Sequence, residues 1–302
     1  MTSDVCVIVN PAAGRGLGAR TLPAVRDAFA AVGIGDVRVS DVPRGEQTLA
    51  RRAIEEGKHT LVAVGGDGTW SNVANVILGT GADVRLGLVA AGTGNDFYKT
   101  VGAPARDPAA TARLVANGTE VRVDVGRIED KYFLNVAGFG FDIAVLEDIR
   151  GIGWLRGRAL YFYSALRQLL GYRGVEIGVG SDASRRRARH LMLIVANARH
   201  FGGSFRIAPQ ASLVDGKLDA VSIHDATPMR RLQLFSAAMR GTHGDHPEVV
   251  VEQSDCFHLS FPSPPAYETD GEYNVASSAQ LEVCCVPRRL RVAALGERAA
   301  LG

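Results

Sequence analysis

Hydrophobic residues occur in short runs that are separated by amphipathic segments in the first part of the chain. The apolar runs predict buried strands at residues 5–9, 36–41, 61–64 and 86–90. Segments in which apolar residues recur at helical spacing predict helices at residues 18–32, 46–56, 69–78 and 108–116. This alternation is typical of an α/β domain whose mostly parallel sheet is covered on both faces.

The pattern changes after Glu120, where strand-like segments follow one another through turns. These segments lie at residues 121–128, 131–140, 174–180, 190–197, 217–224 and 249–261. One helix interrupts them at residues 155–170, and a last strand is predicted at 290–295. Strands joined by turns indicate an antiparallel β-domain. We therefore expect two domains, with the last strand returning to the first.

The helix predicted at residues 155–170 has an apolar face bordered by arginines. The apolar residues are Leu155, Ala159, Phe162, Leu166 and Leu169, and the arginines are Arg156, Arg158, Arg167 and Arg173. Such a helix more often packs on a core, although it also fits a membrane surface. The basic segment 184–190 fits a solvated hairpin connection that could attract anionic lipid headgroups.

Composition limits the class of protein. With 302 residues, 46% of them hydrophobic, the chain can form two domains with their own cores. A net charge of +2 gives no reason to expect a nucleic-acid partner. The four cysteines lack C-x-x-C spacing, and Cys284 and Cys285 are adjacent, so they indicate neither a disulfide framework nor a zinc site. Because no signal peptide or transmembrane run is evident, we expect a soluble, cytoplasmic protein in a reducing compartment.

Three glycine-containing loops follow predicted strands: NPAAGRG, GGDGT and AAGTGND. In an open parallel sheet, such loops form the ligand crevice. Thr69 is placed to cap the third helix, whose first N–H groups would attract an anion. Asp67 and Asp96 would repel a bare polyphosphate, but they fit if a divalent cation accompanies the phosphates. Orienting a hydroxyl group or capping a helix are alternative roles for them.

Two common nucleotide motifs do not explain these loops. The chain lacks the P-loop pattern G-x-x-x-x-G-K-[ST]. Residues 14–19 fit G-x-G-x-x-A, and Asp41 ends the second strand, where a ribose-binding acid belongs. However, four residues separate the first strand from Gly14, whereas a dinucleotide site needs that glycine at the strand end. A dehydrogenase is therefore a minor alternative.

VNPAAGRG, GGDGTWSNV and AAGTGNDF together resemble the bacterial diacylglycerol kinase-like lipid kinases, which are relatives of sphingosine kinases and, more distantly, of NAD kinases. GGDGT alone is shared with NAD kinases, whereas GTGNDF is more specific. The resemblance continues through VDVGRI, FLNVAGFGFDIAV, FGGSFRIAPQASLVDGKLD and TDGE. It implies a doubly wound α/β nucleotide-binding domain at residues 1–124 plus 288–302, and an antiparallel β-sandwich domain at residues 125–287.

The resemblance also implies ATP and Mg²⁺ as cofactors. The residues implied to contact ATP lie on the three loops and are Asn10, Arg15, Gly65, Gly66, Gly68, Thr69, Thr93 and Asn95. Asp67 and Asp96 are implied to hold the catalytic magnesium, and Asp124 to organise the site as a further catalytic acid. Arg15 equally fits a solvated loop residue, and Asp124 a turn residue.

Two further sites are implied in the second domain. Glu272 in ETDGEYN is the implied general base, with Asp270 as its competitor, although D-G-E also fits a plain hairpin turn. A structural magnesium is implied at Asp215, with the carbonyl groups of Ser212 and Lys217. A type I turn is the alternative at that position.

These features together predict an ATP-dependent lipid kinase that transfers the γ-phosphoryl group to a hydroxyl group of diacylglycerol or a related lipid. A cytoplasmic protein with this activity would associate peripherally with the membrane that holds its lipid substrate. The sequence is compatible with either a monomer or a homodimer. One alternative is a kinase of a soluble acceptor, similar to NAD kinases. Another is a nucleotide- or lipid-binding protein without catalytic activity.

Overall fold

The computed structural model describes residues 2–152, 158–180, 186–203 and 205–295 and divides into two compact units. The first consists of Met1–Val125, Ser212–Gly216 and Val286–Gly302, and the second of Gly126–Ala211 and Lys217–Cys285. The segment Ser212–Gly216 therefore lies in the first unit, whereas the expected boundaries placed it in the second. Parts of the predicted helix and of the basic segment lie outside the described residues, namely residues 155–157 and 184–185.

The helices of the described residues are α1 (Ala13–Ala30), α2 (Gly45–Glu55), α3 (Asp67–Thr80), α4 (Phe97–Val101), α5 (Pro108–Ala116), α6 (Phe141–Gly151), α7 (Arg158–Gly171) and α8 (Pro228–Arg240). The strands are β1 (Val5–Val9), β2 (Val37–Val39), β3 (Thr60–Gly65), β4 (Arg85–Ala90), β5 (Val121–Ile128), β6 (Lys131–Phe133), β7 (Val136–Gly140), β8 (Val175–Gly180), β9 (Arg186–Ala196), β10 (Leu218–His224), β11 (Val249–Ser254), β12 (Cys256–Ser260), β13 (Ala266–Thr269), β14 (Glu272–Val275) and β15 (Gln280–Val292).

The first unit contains a parallel sheet in the order β2-β1-β3-β4. The end of β15 adds to it beside β4, where Arg291 pairs in parallel with Arg85. From β1, the chain passes first to β2 on one side and then to β3 on the other, so the strand order reverses between β1 and β3. In open α/β sheets, ligands bind at the carboxyl ends of the strands at such a reversal.

Helices cover both faces of this sheet, which confirms the doubly wound α/β class. On one face, the side chains of β1 pack with Val25 and Phe29 of α1 and with Val115 of α5. On the other face lies α3, where the indole N–H of Trp70 donates a 3.1 Å hydrogen bond to the carbonyl oxygen of Ala63. All residues of β1 are consequently buried, which explains its uninterrupted apolar sequence.

The second unit is an antiparallel β-sandwich, as expected. Its strands pair in the order β14-β13-β7-β9-β8-β12-β15, and β10 joins β9 to β11. One core lies among the strands and includes Phe133, Phe139, Leu193, Phe257 and Tyr267. A second core lies under α6, α7 and α8 and includes Phe141, Val145, Leu169, Leu234 and Ala238.

Two helices of the second unit were not predicted. α6 follows β7 without an intervening polar loop, since Gly140 turns the chain with a φ of 107°. In the sequence, the apolar residues of α6 therefore follow those of β7 directly and read as a continuation of the strand. α8 begins after Thr227 with Pro228, and a proline at the first helical position is the sequence signal that indicates this helix.

A single disulfide joins Cys256 of β12 to Cys284 of β15, a pairing that the spacing of the cysteines in the sequence did not indicate. The two residues are directly opposite each other on neighbouring antiparallel strands. They are 28 residues apart in the sequence, and only the strand register brings them together.

Candidate functional site

The three glycine loops lie against one another at the carboxyl ends of β1, β3 and β4. A Cβ atom on Gly14 would lie 2.1 Å from the carbonyl oxygen of Ala91, and one on Gly92 would lie 2.4 Å from the Cα atom of Gly66. Any larger residue at these glycines would push the loops apart. The glycines therefore allow the sequence-predicted loops to form one continuous backbone surface.

Asparagine side chains hold these loops in shape. The Nδ2 atom of Asn10 donates a 3.0 Å hydrogen bond to Oγ1 of Thr69, which ties the first loop to the second. Asn95 has a φ of 51° and closes its own loop. Its Oδ1 atom accepts from the N–H of Gly92 at 3.0 Å, and its Nδ2 atom donates to the Gly92 carbonyl at 2.7 Å. The structure thus gives both residues a role in shaping the loops.

The start of α3 fits an anion. The helix begins at Asp67, and the N-cap residue Gly66 provides no side-chain cap. The N–H groups of a first helical turn have no partner within the helix and carry the positive end of its dipole. Thr69 lies inside this first turn, so the prediction that Thr69 is the N-cap was wrong. Gly65 and Gly68 flank the same backbone turn.

The first loop follows β1 in a left-handed turn. Gly14, Arg15 and Gly16 all have positive φ, and the regular part of α1 comes after them. The predicted helix at residues 18–32 corresponds to this regular part. Arg15 and Thr93 are exposed on their loops.

The carboxylate of Asp67 reaches from α3 to the start of α4. Its Oδ1 atom accepts hydrogen bonds from the N–H groups of Asp96 at 2.6 Å and Phe97 at 3.1 Å. Asp67 therefore caps α4, which was one of the roles that the sequence left open. The Oδ1 atom of Asp96 is in turn 2.7 Å from Nζ of Lys99. Lys99 was missed, although its position three residues after Asp96 could have indicated a pair on a helix.

This arrangement fits magnesium that binds together with phosphate. Asp67 and Asp96 are carboxylates that protein donors also engage, through the N–H of Asp96 and Nζ of Lys99 respectively. Mg²⁺ usually takes one or two carboxylates and completes its shell with water and substrate phosphates. Within the described residues, no group of three or more His, Cys, Asp or Glu could hold a metal alone. The donors thus fit a magnesium–nucleotide complex better than an all-protein metal site.

Asp124 joins segments of the first unit that are far apart in the sequence. Its Oδ2 atom accepts from the N–H of Gly216 at 2.7 Å, and its Oδ1 atom accepts from the N–H of Arg288 at 2.7 Å. Its own N–H donates to the carbonyl of Leu213 at 2.7 Å. Burial raises the pKa of this carboxyl, and the two N–H donors partly oppose that shift. In this structure, Asp124 anchors the segment Ser212–Gly216.

The second proposed metal site lies on this anchored segment. Asp215 is exposed, and Oγ of Ser212 accepts a long 3.4 Å hydrogen bond from the N–H of Val214. Lys217 belongs to the second unit. The negative charge of Asp215 contributes to the raised pKa of Asp124. The second metal site, with Asp215 and the carbonyl groups of Ser212 and Lys217, stays a prediction.

The D-G-E segment forms a hairpin turn in the second unit. β13 and β14 pair with Thr269 opposite Glu272, and both Asp270 and Gly271 have positive φ, as a type I′ turn requires. The carboxylate of Asp270 accepts hydrogen bonds from three backbone N–H groups: Leu134 at 2.8 Å, Asn135 at 2.8 Å and Val136 at 3.2 Å. Asp270 therefore fixes the hairpin, whereas the half-buried Glu272 begins β14.

Comparison with known protein families assigns a class to each part of the chain. Residues 4–128 match the diacylglycerol kinase catalytic domain, and residues 135–294 match the YegS C-terminal NAD kinase beta sandwich-like domain. The crystal structure of a diacylglycerol kinase from Bacillus anthracis str. Sterne has a TM-score of 0.72 at 18% identity and covers 96% of each chain, which supports the same fold. The chain is thus a kinase with an α/β catalytic domain and a β-sandwich domain.

Whole-chain relatives identify the family. A diacylglycerol kinase of Mycobacterium tuberculosis is 31% identical over 298 residues, which are 95% of this chain and 94% of the relative. A diacylglycerol kinase of Bacillus subtilis is 26% identical over 269 residues, which are 88% of this chain and 89% of the relative. The chain belongs to the diacylglycerol kinase family, as its sequence motifs had indicated.

Proposed function

We propose that this protein transfers the γ-phosphoryl group of ATP, with Mg²⁺, to a hydroxyl group of diacylglycerol or a related lipid. The observation that carries the proposal is the pair Asp67 and Asp96 beside the uncapped start of α3. Backbone N–H groups there favour phosphate, and the two carboxylates favour the metal that phosphate brings. The relatives named diacylglycerol kinase support the choice of acceptor.

Phosphoryl transfer depends mainly on positioning and charge neutralisation. The glycine loops position the phosphates, and Arg15 meets them from solvent. Asp67 and Asp96 would hold magnesium, which would neutralise charge on the phosphate oxygens. Glu272 accepts the proton of the lipid hydroxyl group. The oxygen atom of that hydroxyl group bonds to the γ-phosphorus as the bond between this phosphorus and ADP breaks. Asp124 keeps the neighbouring segment in place.

A lipid acceptor implies that the protein works at a membrane surface. Among the described helices, none is both long and apolar enough to cross a membrane. We therefore propose peripheral association, with the lipid reached from the aqueous side.

Competition between acceptors tests this proposal. The protein is incubated with γ-labelled ATP, Mg²⁺ and both NAD and diacylglycerol in mixed micelles. We expect label in the lipid fraction. Label in NAD alone would support the soluble-acceptor alternative, to which the NAD kinase-like description of the second domain also points. Nucleotide binding without transfer to either acceptor, or to a wider panel of lipids, would indicate a binding protein.

The second metal site predicts a stability effect. A metal that binds only the folded state stabilises it by about 2.7 kcal/mol at a hundredfold excess over its Kd. We expect Mg²⁺ to raise the Tm of the wild type by several degrees and to raise that of Asp215→Ala much less. The control is Asp130→Ala, which removes an exposed carboxylate from the turn between β5 and β6. Equal magnesium-induced shifts in all three proteins would remove Asp215 from the account.

A further inference from the structure

Two carboxyl groups are buried together in the second unit, between α6 and the sheet. They belong to Asp142, at the start of α6, and Glu268, on β13, whose exposed fractions are 6% and 1%. A Cβ atom on Gly138 would lie 1.9 Å from Oδ2 of Asp142, so the carboxyl group of Asp142 occupies the space of a side chain at that position. Gly138 is the cross-strand partner of Glu268. The carboxyl group of Asp142 therefore lies over the strand position next to Glu268, and its charge acts on Glu268.

No cation compensates this pair within the part of the chain that the structure describes. Both oxygens of Asp142 and the Oε1 atom of Glu268 are buried and have no well-aligned hydrogen-bond donor. Backbone N–H groups at the start of α6, those of Asp142 and Ile143, offset only part of the rise in the pKa of Asp142 that burial causes. The charged groups that act on Glu268 are Asp142 and Asp270, which are both acidic. Burial, and for Glu268 also these neighbouring acids, raises the pKa of both carboxyl groups. Two adjacent carboxylates without a cation would be very costly, whereas one shared proton gives a strong O–H···O⁻ hydrogen bond.

Glu268 also holds the hairpin turn. Its Oε2 atom accepts a 2.6 Å hydrogen bond from the N–H of Gly271. Gly271 has a φ of 87° and directly precedes Glu272. The carboxylate of Asp270 fixes the same turn from the side of residues 134–136. The conformation of the backbone that carries Glu272 thus depends on Glu268.

We infer that Asp142 and Glu268 form a carboxylic acid–carboxylate pair that shares one proton and positions the turn carrying Glu272. Glu268 and Asp142 are positioning residues in this account, because neither needs to touch a substrate. The effect on turnover rests on the proposed function of Glu272, whereas the shared proton can be tested without any turnover.

The shared proton predicts a direction of pH dependence. The unfolded chain releases carboxyl protons near pH 4, whereas the folded pair keeps one above that value. The free energy of unfolding therefore falls as pH rises from about 4 through the raised pKa. Among the described residues, Tyr172 packs on Phe141 and is a further titratable group near Asp142, and burial raises its pKa to about 12. Tyr172 therefore stays neutral between pH 5 and 8.5. Asp270 is present in the wild type and in all the variants that are compared.

Glu268→Gln tests the proton without removing the hydrogen-bond acceptor, because the amide oxygen can still bind Gly271 and the amide N–H can donate to Asp142. Between pH 5 and 8.5 we expect the Tm of the wild type to fall on the order of 5 °C further than that of Glu268→Gln. Asp142→Asn should behave like Glu268→Gln, and the exposed control Glu252→Gln like the wild type. Equal pH slopes for the wild type and Glu268→Gln would overturn the shared proton.

Positioning is tested by turnover and by exchange of the Gly271 amide hydrogen. Glu268→Leu lacks the acceptor, and we expect kcat to fall about tenfold or more with the KM for ATP unchanged, whereas Glu268→Gln restores kcat at neutral pH.

If the leucine variant does not fold, protection of the Gly271 amide hydrogen from exchange tests the positioning role instead. It should decrease with rising pH in the wild type and stay constant in Glu268→Gln. Equal kcat values for Glu268→Leu and Glu268→Gln would contradict the positioning role. Protection of the Gly271 amide hydrogen that does not change with pH in the wild type would contradict it as well. Loss of all lipid transfer in the wild type would refute only the proposed function.

Discussion

Asp67→Asn is expected to lower kcat for phosphoryl transfer on the order of 10²-fold or more, with little loss of stability. The asparagine Oδ1 atom can still accept hydrogen bonds from the N–H groups of Asp96 and Phe97, so the cap of α4 is kept. The negative charge is lost, and with it the attraction for magnesium. Transfer rates at several magnesium concentrations measure the effect.

Asp107 provides a matched control for this substitution. It caps α5 in the same way, since its Oδ1 atom accepts from the N–H groups of Ala109 at 2.9 Å and Ala110 at 3.0 Å. Asp107→Asn should leave transfer unchanged, and Asp107→Ala should cost about 1 kcal/mol of stability, the usual value of a cap. If Asp67→Asn keeps wild-type turnover while Asp67→Ala loses it, Asp67 is a helix cap and the metal role is wrong.

Glu272→Gln is expected to bind ATP normally and to lose a factor on the order of 10² to 10⁴ in kcat. The amide has nearly the size of the carboxyl group but cannot accept the proton of the hydroxyl group. The hairpin should persist, because Asp270 still accepts its three backbone hydrogen bonds. Calorimetric titration with ATP and steady-state kinetics separate nucleotide affinity from turnover.

Asp270→Asn must be measured beside it, at a temperature where both variants are folded. Its amide group would face the N–H of Leu134, which then lacks an acceptor at a cost of about 1–3 kcal/mol. We expect a lowered Tm as its main effect. If Asp270→Asn loses turnover while Glu272→Gln retains it, the base has been assigned to the wrong carboxylate. If both retain full turnover, the base lies elsewhere.

The sequence predicts those parts of the fold that local pattern determines. β1 is apolar throughout because helices cover both faces of its sheet, and this run is visible in the sequence. The glycine loops are also visible, because a close approach such as that of Gly66 to Gly92 restricts residue type. The antiparallel strands were predicted from local pattern in the same way, and the hairpin turn at D-G-E was one of the two alternatives that the sequence left open. α6 was missed because no polar turn separates it from β7.

Contacts between distant segments leave little trace in local pattern. Asp124 binds backbone N–H groups at Gly216 and Arg288, and an N–H donor is present in every residue except proline. The cap that Asp67 provides to α4 and the pairing of Asp142 with Glu268 depend on strand register and helix placement in the same way. The cysteines that form the disulfide became neighbours only through the pairing of β12 with β15.

The most direct test of the central claim is mass spectrometric identification of the product formed from ATP, Mg²⁺ and diacylglycerol in mixed micelles. We predict that the wild type and Asp107→Asn add one phosphoryl group to the free hydroxyl group of the lipid. Asp67→Asn and Glu272→Gln should produce little of this product in the same time. The absence of phosphorylated lipid with the wild type, or equal amounts with all four proteins, would contradict the account.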